Sequence, residues 1–166
     1  MNKTILIAMV GIMIFGGLIW VASPDSQEYR ASSLASNESS GTLQAEENNY
    51  DFGTISMADG NVGHQFKIKN TGVETVTIDK VYTSCMCTTA WLLINGKEFG
   101  PFGMPCHGTA PQISQAINPN EEMIIEAIFD PTAHGPAGVG RIQRSIIIEN
   151  RSAESIELQL VAMVTP

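Results

Sequence analysis

From Tyr50 onward, apolar and polar residues alternate along the chain. His64, Phe66 and Ile68 fall on one side of a two-residue period, and Gln65, Lys67 and Lys69 on the other. Successive side chains of a strand point to opposite faces, so this pattern predicts a half-buried β-strand. Tyr50, Phe52 and Ile55 open an earlier strand, with Gly53 marking a bulge or bend. Val76 and Ile78 continue on one face. The register then slips, because Val81 rather than Lys80 is apolar, and this predicts a β-bulge before Cys85. Residues 88–94 read as a strand that ends at Asn95-Gly96, a hairpin signal. Residues 100–108 read as a loop and 118–121 as a turn. Residues 123–129 form a strongly apolar strand that stops at Asp130-Pro131, and 134–140 a glycine-rich loop. Residues 143–149 and 155–164 close the chain as a hairpin, with Ile156, Leu158, Leu160, Ala162 and Val164 on one face.

About seven short strands with turn chemistry between them, and no useful helical spacing, predict an all-β domain over 48–166. The natural architecture is a seven-stranded antiparallel Ig-like sandwich. The Cys–Trp–Cys pattern of antibody domains is absent, so aliphatic and aromatic packing has to hold the core.

The pattern changes before residue 48. Residues 5–22 are 18 uncharged, apolar positions, enough for a helix of about 27 Å, close to the thickness of a bilayer's hydrocarbon core. Lys3 on the short side and Asp25 and Glu28 beyond place the N-terminus in the cytoplasm and the rest outside. Residues 1–23 therefore read as an uncleaved N-terminal membrane anchor. The competing reading is a cleaved signal peptide, which Trp20 and Pro24 fit poorly. Residues 24–47 carry five acids against one base and few large apolar residues, the composition of a flexible acidic linker.

Charge removes one class of partner. The net charge is −8 and no basic stripe is present to neutralise phosphates, which argues against nucleic acid. No Ser/His/Asp order stands out, and residues 135–141 lack the Gly-Lys-Ser/Thr of a phosphate loop. The expected protein is not an enzyme.

Tyr50-Asp51-Phe52-Gly53-Thr54-Ile55, then Phe66-Lys67-Ile68-Lys69-Asn70-Thr71-Gly72, Ile78-Asp79-Lys80-Val81, Thr83-Ser84-Cys85-Met86-Cys87-Thr88, Asn118-Pro119-Asn120-Glu121 and Phe129-Asp130-Pro131 follow one another in order. This series resembles the landmarks of a bacterial family of uncharacterised exported Ig-like domains, similar to Hydin-type and major-sperm-protein-like domains. The resemblance implies an Ig-like sandwich outside the cytoplasm and no particular function. The family's usual signature is Thr-Ser-Cys-Gly-Cys-Thr. Met86 stands here in place of its glycine, and the segment 95–115 looks longer than the family's connection.

The distinctive chemistry lies at Cys85 and Cys87, in an exported domain where disulfides are permitted. A strand would turn both sulfurs to one face and Met86 to the other. Four readings stand. The pair is reduced core packing. One of the two forms a disulfide to Cys106, closing a loop of roughly 20 residues. Cys85, Cys87, Cys106 and His107 form a soft-metal site for copper or zinc, with Met86 and Met104 as outer candidates. Or the pair is redox-active. A direct Cys85–Cys87 bridge is disfavoured in a strand, where Cα atoms two residues apart lie about 6.5 Å from each other. His64 reads as a satisfied structural histidine, and His134 as a solvated residue of its glycine-rich loop. The leading expectation is a membrane-tethered interaction or structural module that binds a protein or cell-envelope partner, the sheet edges being open to strand addition. The alternative is a copper- or thiol-handling protein.

Overall fold

The structure is a computed structural model in which residues 42–105, 109–152 and 154–166 are described. The anchor and most of the linker, together with Cys106 and His107, lie outside the described residues. Among the described residues, no helix is long and apolar enough to cross a membrane.

Among the described residues, ten strands run in the order β1 (Leu43–Ala45), β2 (Asn49–Ser56), β3 (Val62–Asn70), β4 (Val76–Thr83), β5 (Thr88–Ile94), β6 (Lys97–Phe102), β7 (Gln115–Ile117), β8 (Glu122–Phe129), β9 (Gly140–Asn150) and β10 (Ile156–Thr165). They form two five-stranded sheets, β1-β3-β8-β5-β6 and β2-β10-β9-β4-β7. Among the described residues, helix is confined to two single 3-10 turns, Met57–Asp59 and Gly135–Gly138.

The all-β sandwich expectation holds, but the strand count and the uniformly antiparallel pairing do not. β1 and β7 have three residues each, too few to display a two-residue period. β1 also lies within the segment expected to be linker, where it pairs with β3 through Leu43↔Asn70. β6 spans Gly100-Pro101, which local rules read as loop. It is an edge strand, so the missing proline N–H need not interrupt a ladder. β2 pairs in parallel with β10, a long-range contact between the two ends of the domain that no local pattern encodes.

Several local signals appear where expected. Gly53 has φ +69°, and the β2–β10 register shifts there, so the extra residue is a bulge. Asn95 and Gly96 both have positive φ and join β5 to β6 directly, as a two-residue hairpin requires. The register slip in β4 is present as well. It lies between Ile78 and Lys80 in the pairing with β9, further from Cys85 than expected.

Period two decides what is buried. In β3, Phe66 and Ile68 are fully buried while Lys67 and Lys69 are exposed. Ile78 and Val81 of β4, Leu92 of β5, Ile125 of β8, Ile146 and Ile148 of β9, and Leu158 and Leu160 of β10 complete the core between the sheets. Each such side chain contributes about 1.5–3 kcal/mol by leaving water. The buried polar residue Asn70 is satisfied: its Nδ2 donates to Glu74 O at 2.7 Å and Ile117 O at 3.0 Å, and its Oδ1 accepts from Gly72 N. His64 is structural, stacked on Tyr50 with ring centroids 3.5 Å apart and 2.7 Å from Glu47 Oε1.

On the outer face, Lys80 Nζ donates to Glu149 Oε2 at 2.7 Å and Tyr82 Oη to Glu149 Oε1 at 3.0 Å. The hydrogen bond from Lys80, then that from Tyr82, holds the Glu149 carboxyl below its ordinary range. The hydrogen bonds to Glu149 in turn raise both Lys80 and Tyr82.

Candidate thiol site

Cys85 and Cys87 are not in a strand. β4 ends at Thr83 and β5 starts at Thr88, and the residues between form a tight turn closed by Thr88 N donating to Cys85 O at 3.1 Å. Neither Met86 nor Cys87 has positive φ, so the turn forms without a glycine. Turning brings the two Cα atoms to 5.2 Å, and Cys85 and Cys87 are joined by a disulfide. This corrects the expectation against a direct bridge, which assumed flat strand geometry. Of the two bridges considered, the structure has this one.

The turn is pinned on three sides. The buried Thr83 hydroxyl lies 2.9 Å from Cys85 O and 3.0 Å from Thr88 O, holding both ends of the turn. Ser84 N donates to Ser145 O on β9, and Ser145 N donates back to Ser84 Oγ. Asp130 N donates to Cys87 O at 2.9 Å. The last contact follows from register: Thr88 pairs with Phe129, so the residue before β5 meets the residue after β8. Met86 stands at the tip of the turn, 65% exposed.

That register brings in His134. After β8 the chain folds on itself: Asp130 Oδ1 accepts from Thr132 N and Oγ1, Ala133 N donates to Asp130 O, and Gly135 N donates to Thr132 O. His134 comes out with Nε2 3.1 Å from Cys85 Sγ. It is exposed, as expected of a loop histidine, but it is not merely solvated. The sulfurs of Cys85 and Cys87 and a ring nitrogen of His134 all lie within 4.8 Å of one another.

Arg144 meets the other sulfur. Its Nε donates to Cys87 Sγ at 3.1 Å, and Nη1 donates to Gln143 O at 2.8 Å. Ile142, Ile146 and Ile148 of β9 are buried at period two, and Arg144 shares their face. The sequence held this signal, since an arginine in step with three core isoleucines needs a partner. Nothing comparable marked His134, because only the β5–β8 pairing brings it to the turn. Among the described residues, no ion pair involves Arg144. Cys87 is buried and Cys85 half-buried, so Cys85 is the less sheltered of the pair.

The fold is that of a two-sheet β-sandwich of the Ig-like class. Residues 43–93, which include the turn, match a family described as "Protein of unknown function (DUF1573)". No curated protein matches the chain. Among solved structures, a protein of unknown function from Porphyromonas gingivalis W83 is similar, with TM-score 0.54 and 17% identity over 74% of this chain and 46% of that one. This chain thus spans about half the length of that protein. The PapD-like domain 7 of human CEP192 gives TM-score 0.47 and 12% identity over 76% of this chain and 87% of that one. The CooA pilin subunit of enterotoxigenic Escherichia coli gives TM-score 0.41 and 13% identity over 75% and 99%. The likeness to the Porphyromonas protein is one of fold alone.

Proposed function

We propose that the domain is a non-catalytic Ig-like module, held outside the cytoplasmic membrane by residues 1–23 and a spacer, that engages a partner protein by reversible thiol–disulfide exchange at Cys85 and Cys87. The observation that carries this is the placement of two basic side chains, His134 on the half-buried Cys85 and Arg144 on the buried Cys87. Cysteines that exchange lie in electropositive, partly exposed surroundings, whereas structural ones do not need them.

The sequence separation supports the same reading. The bridged residues are two apart. Closing so short a loop contributes about 1.5 kcal/mol in the chain-entropy model, against roughly 3 for a loop of 15 residues. The bridge also joins no two strands, so it is a poor staple.

In the exchange, a partner thiolate attacks Cys85 Sγ, the Cys85–Cys87 bond breaks, and Cys87 leaves as a thiolate. Arg144 receives that charge. A second partner thiolate then attacks the partner sulfur of the mixed disulfide, forming the partner's disulfide and expelling Cys85 as a thiolate, which takes up a proton. The partner dithiol is oxidised by two electrons and this protein is reduced by two. Strands at the ends of the sheets, eight-residue β2 above all, offer backbone for the partner to pair with.

Trapping tests the proposal. With Cys106 changed to serine, Cys87→Ser leaves the less sheltered Cys85 and should form mixed disulfides with a small disulfide reagent. Cys85→Ser leaves the sheltered sulfur and should react at least about tenfold more slowly. Equal rates, or no reaction of either folded variant, would refute exchange through Cys85.

A further inference from the structure

We infer that the reduced form of this site binds one copper(I) ion, through Cys85 Sγ, Cys87 Sγ and a ring nitrogen of His134. The inference rests on the thiol pair being reducible, as proposed above. It changes the donor set expected from sequence, which relied on Cys106 and His107.

Three observations carry it. The first is proximity: the two sulfurs and the histidine nitrogen lie within 4.8 Å of one another, on two loops that the β5–β8 pairing holds together. The second is donor chemistry. Two thiolates and an imidazole form a soft set, and the nearest carboxylate on these loops, Asp130, has Oδ1 engaged by Thr132 N and Oγ1. Such a set favours copper(I) or zinc over calcium or magnesium.

The third observation separates copper(I) from zinc. Two thiolates carry a charge of −2, and a monovalent ion leaves −1, which the Arg144 guanidinium beside Cys87 neutralises. A divalent ion would already neutralise the thiolates and would leave Arg144 without a compensating charge. A structural zinc site also takes four protein ligands, and the group among the described residues offers three. Three soft ligands at a surface turn suit an ion that is received and handed on.

The site then has two exclusive states. In the disulfide neither sulfur is a thiolate. A dithiol reductant supplies two electrons and two protons and frees both thiols. Copper(I) then displaces two thiol protons and bonds both sulfurs and His134. The bound ion blocks re-formation of the disulfide, so metal loading and oxidation compete for the same pair.

The test uses the full chain, reduced without oxygen and freed of reductant. It is titrated with copper(I) buffered by bicinchoninate, after free thiols have been counted. The expected result is three thiols, one copper(I) per chain, and none bound by the disulfide form. His134→Ala should weaken binding about tenfold or more, His107→Ala should leave it unchanged, and X-ray absorption should show two sulfurs and one nitrogen. His134 is exposed, so its loss leaves the core intact, and thermal unfolding of the variant checks this. If three thiols appear but no copper binds, or if His134→Ala binds as wild type does, the copper site is overturned and the thiol reading survives. If only the Cys106 thiol appears after reduction, both fall.

Discussion

Arg144 Nε donates to Cys87 Sγ at 3.1 Å, from a position on β9 that period two assigns to the core face. A cation turned inward toward a sulfur stabilises the thiolate more than the disulfide. Arg144→Leu keeps the apolar face and removes the charge. It should shift the equilibrium with a dithiol toward the disulfide by about tenfold, or roughly 1.4 kcal/mol, read by mass after thiol labelling. Arg144→Lys should restore part of the shift and less than all of it, because a point charge does not reproduce the guanidinium geometry.

Asn70 ties the end of β3 to the turn that follows it through Glu74 O and to β7 through Ile117 O. Asn70→Ala leaves the Ile117 carbonyl buried without this donor. Denaturant unfolding should show a loss of about 1–3 kcal/mol. Asn70→Asp should cost at least as much, since it replaces the donor with a charge.

Gly100 stands in β6 with φ +134°, and a Cβ there would lie 3.1 Å from both Ala90 O and Trp91 Cε3. Gly100→Ala meets backbone and strained φ together and should destabilise by about 1–3 kcal/mol. Gly103→Ala meets nothing within 4 Å and should be close to neutral.

The Lys80–Glu149–Tyr82 group sets a pH signature. Glu149 lies below its ordinary range in the fold, so its contribution is present above about pH 4 and is lost as pH falls through the folded value. Lys80 and Tyr82 are both raised, so their contributions are present below about pH 10 and are lost as pH rises through the folded values. The group is partly exposed and the effect is small. Glu149→Gln should flatten the Tm–pH curve at both ends, most visibly below pH 4.

The sandwich was legible in sequence because each core strand repeats a local rule. Phe66 and Ile68 against Lys67 and Lys69 fix a face without knowledge of any partner. What stayed hidden depends on pairing between distant segments. The parallel β2–β10 contact joins Tyr50 to Leu160. The Thr88↔Phe129 register brings His134 to Cys85. The sulfur pair itself was visible, but its bridge was misjudged, because strand geometry was extended through Cys85 to Cys87 where the chain turns. Arg144 was legible, since the period that buries Ile146 and Ile148 also points it inward.

The central claim is that Cys85 and Cys87 interconvert between disulfide and dithiol in the folded domain. A redox titration tests it most directly. The Cys106→Ser protein is equilibrated across a series of dithiothreitol buffers, its thiols are labelled, and labelled mass is read beside a circular dichroism spectrum. One two-electron transition is expected, with the sandwich spectrum unchanged and the midpoint moved toward the disulfide by Arg144→Leu. A pair that is reduced only as the domain unfolds, or whose midpoint ignores Arg144, would contradict it.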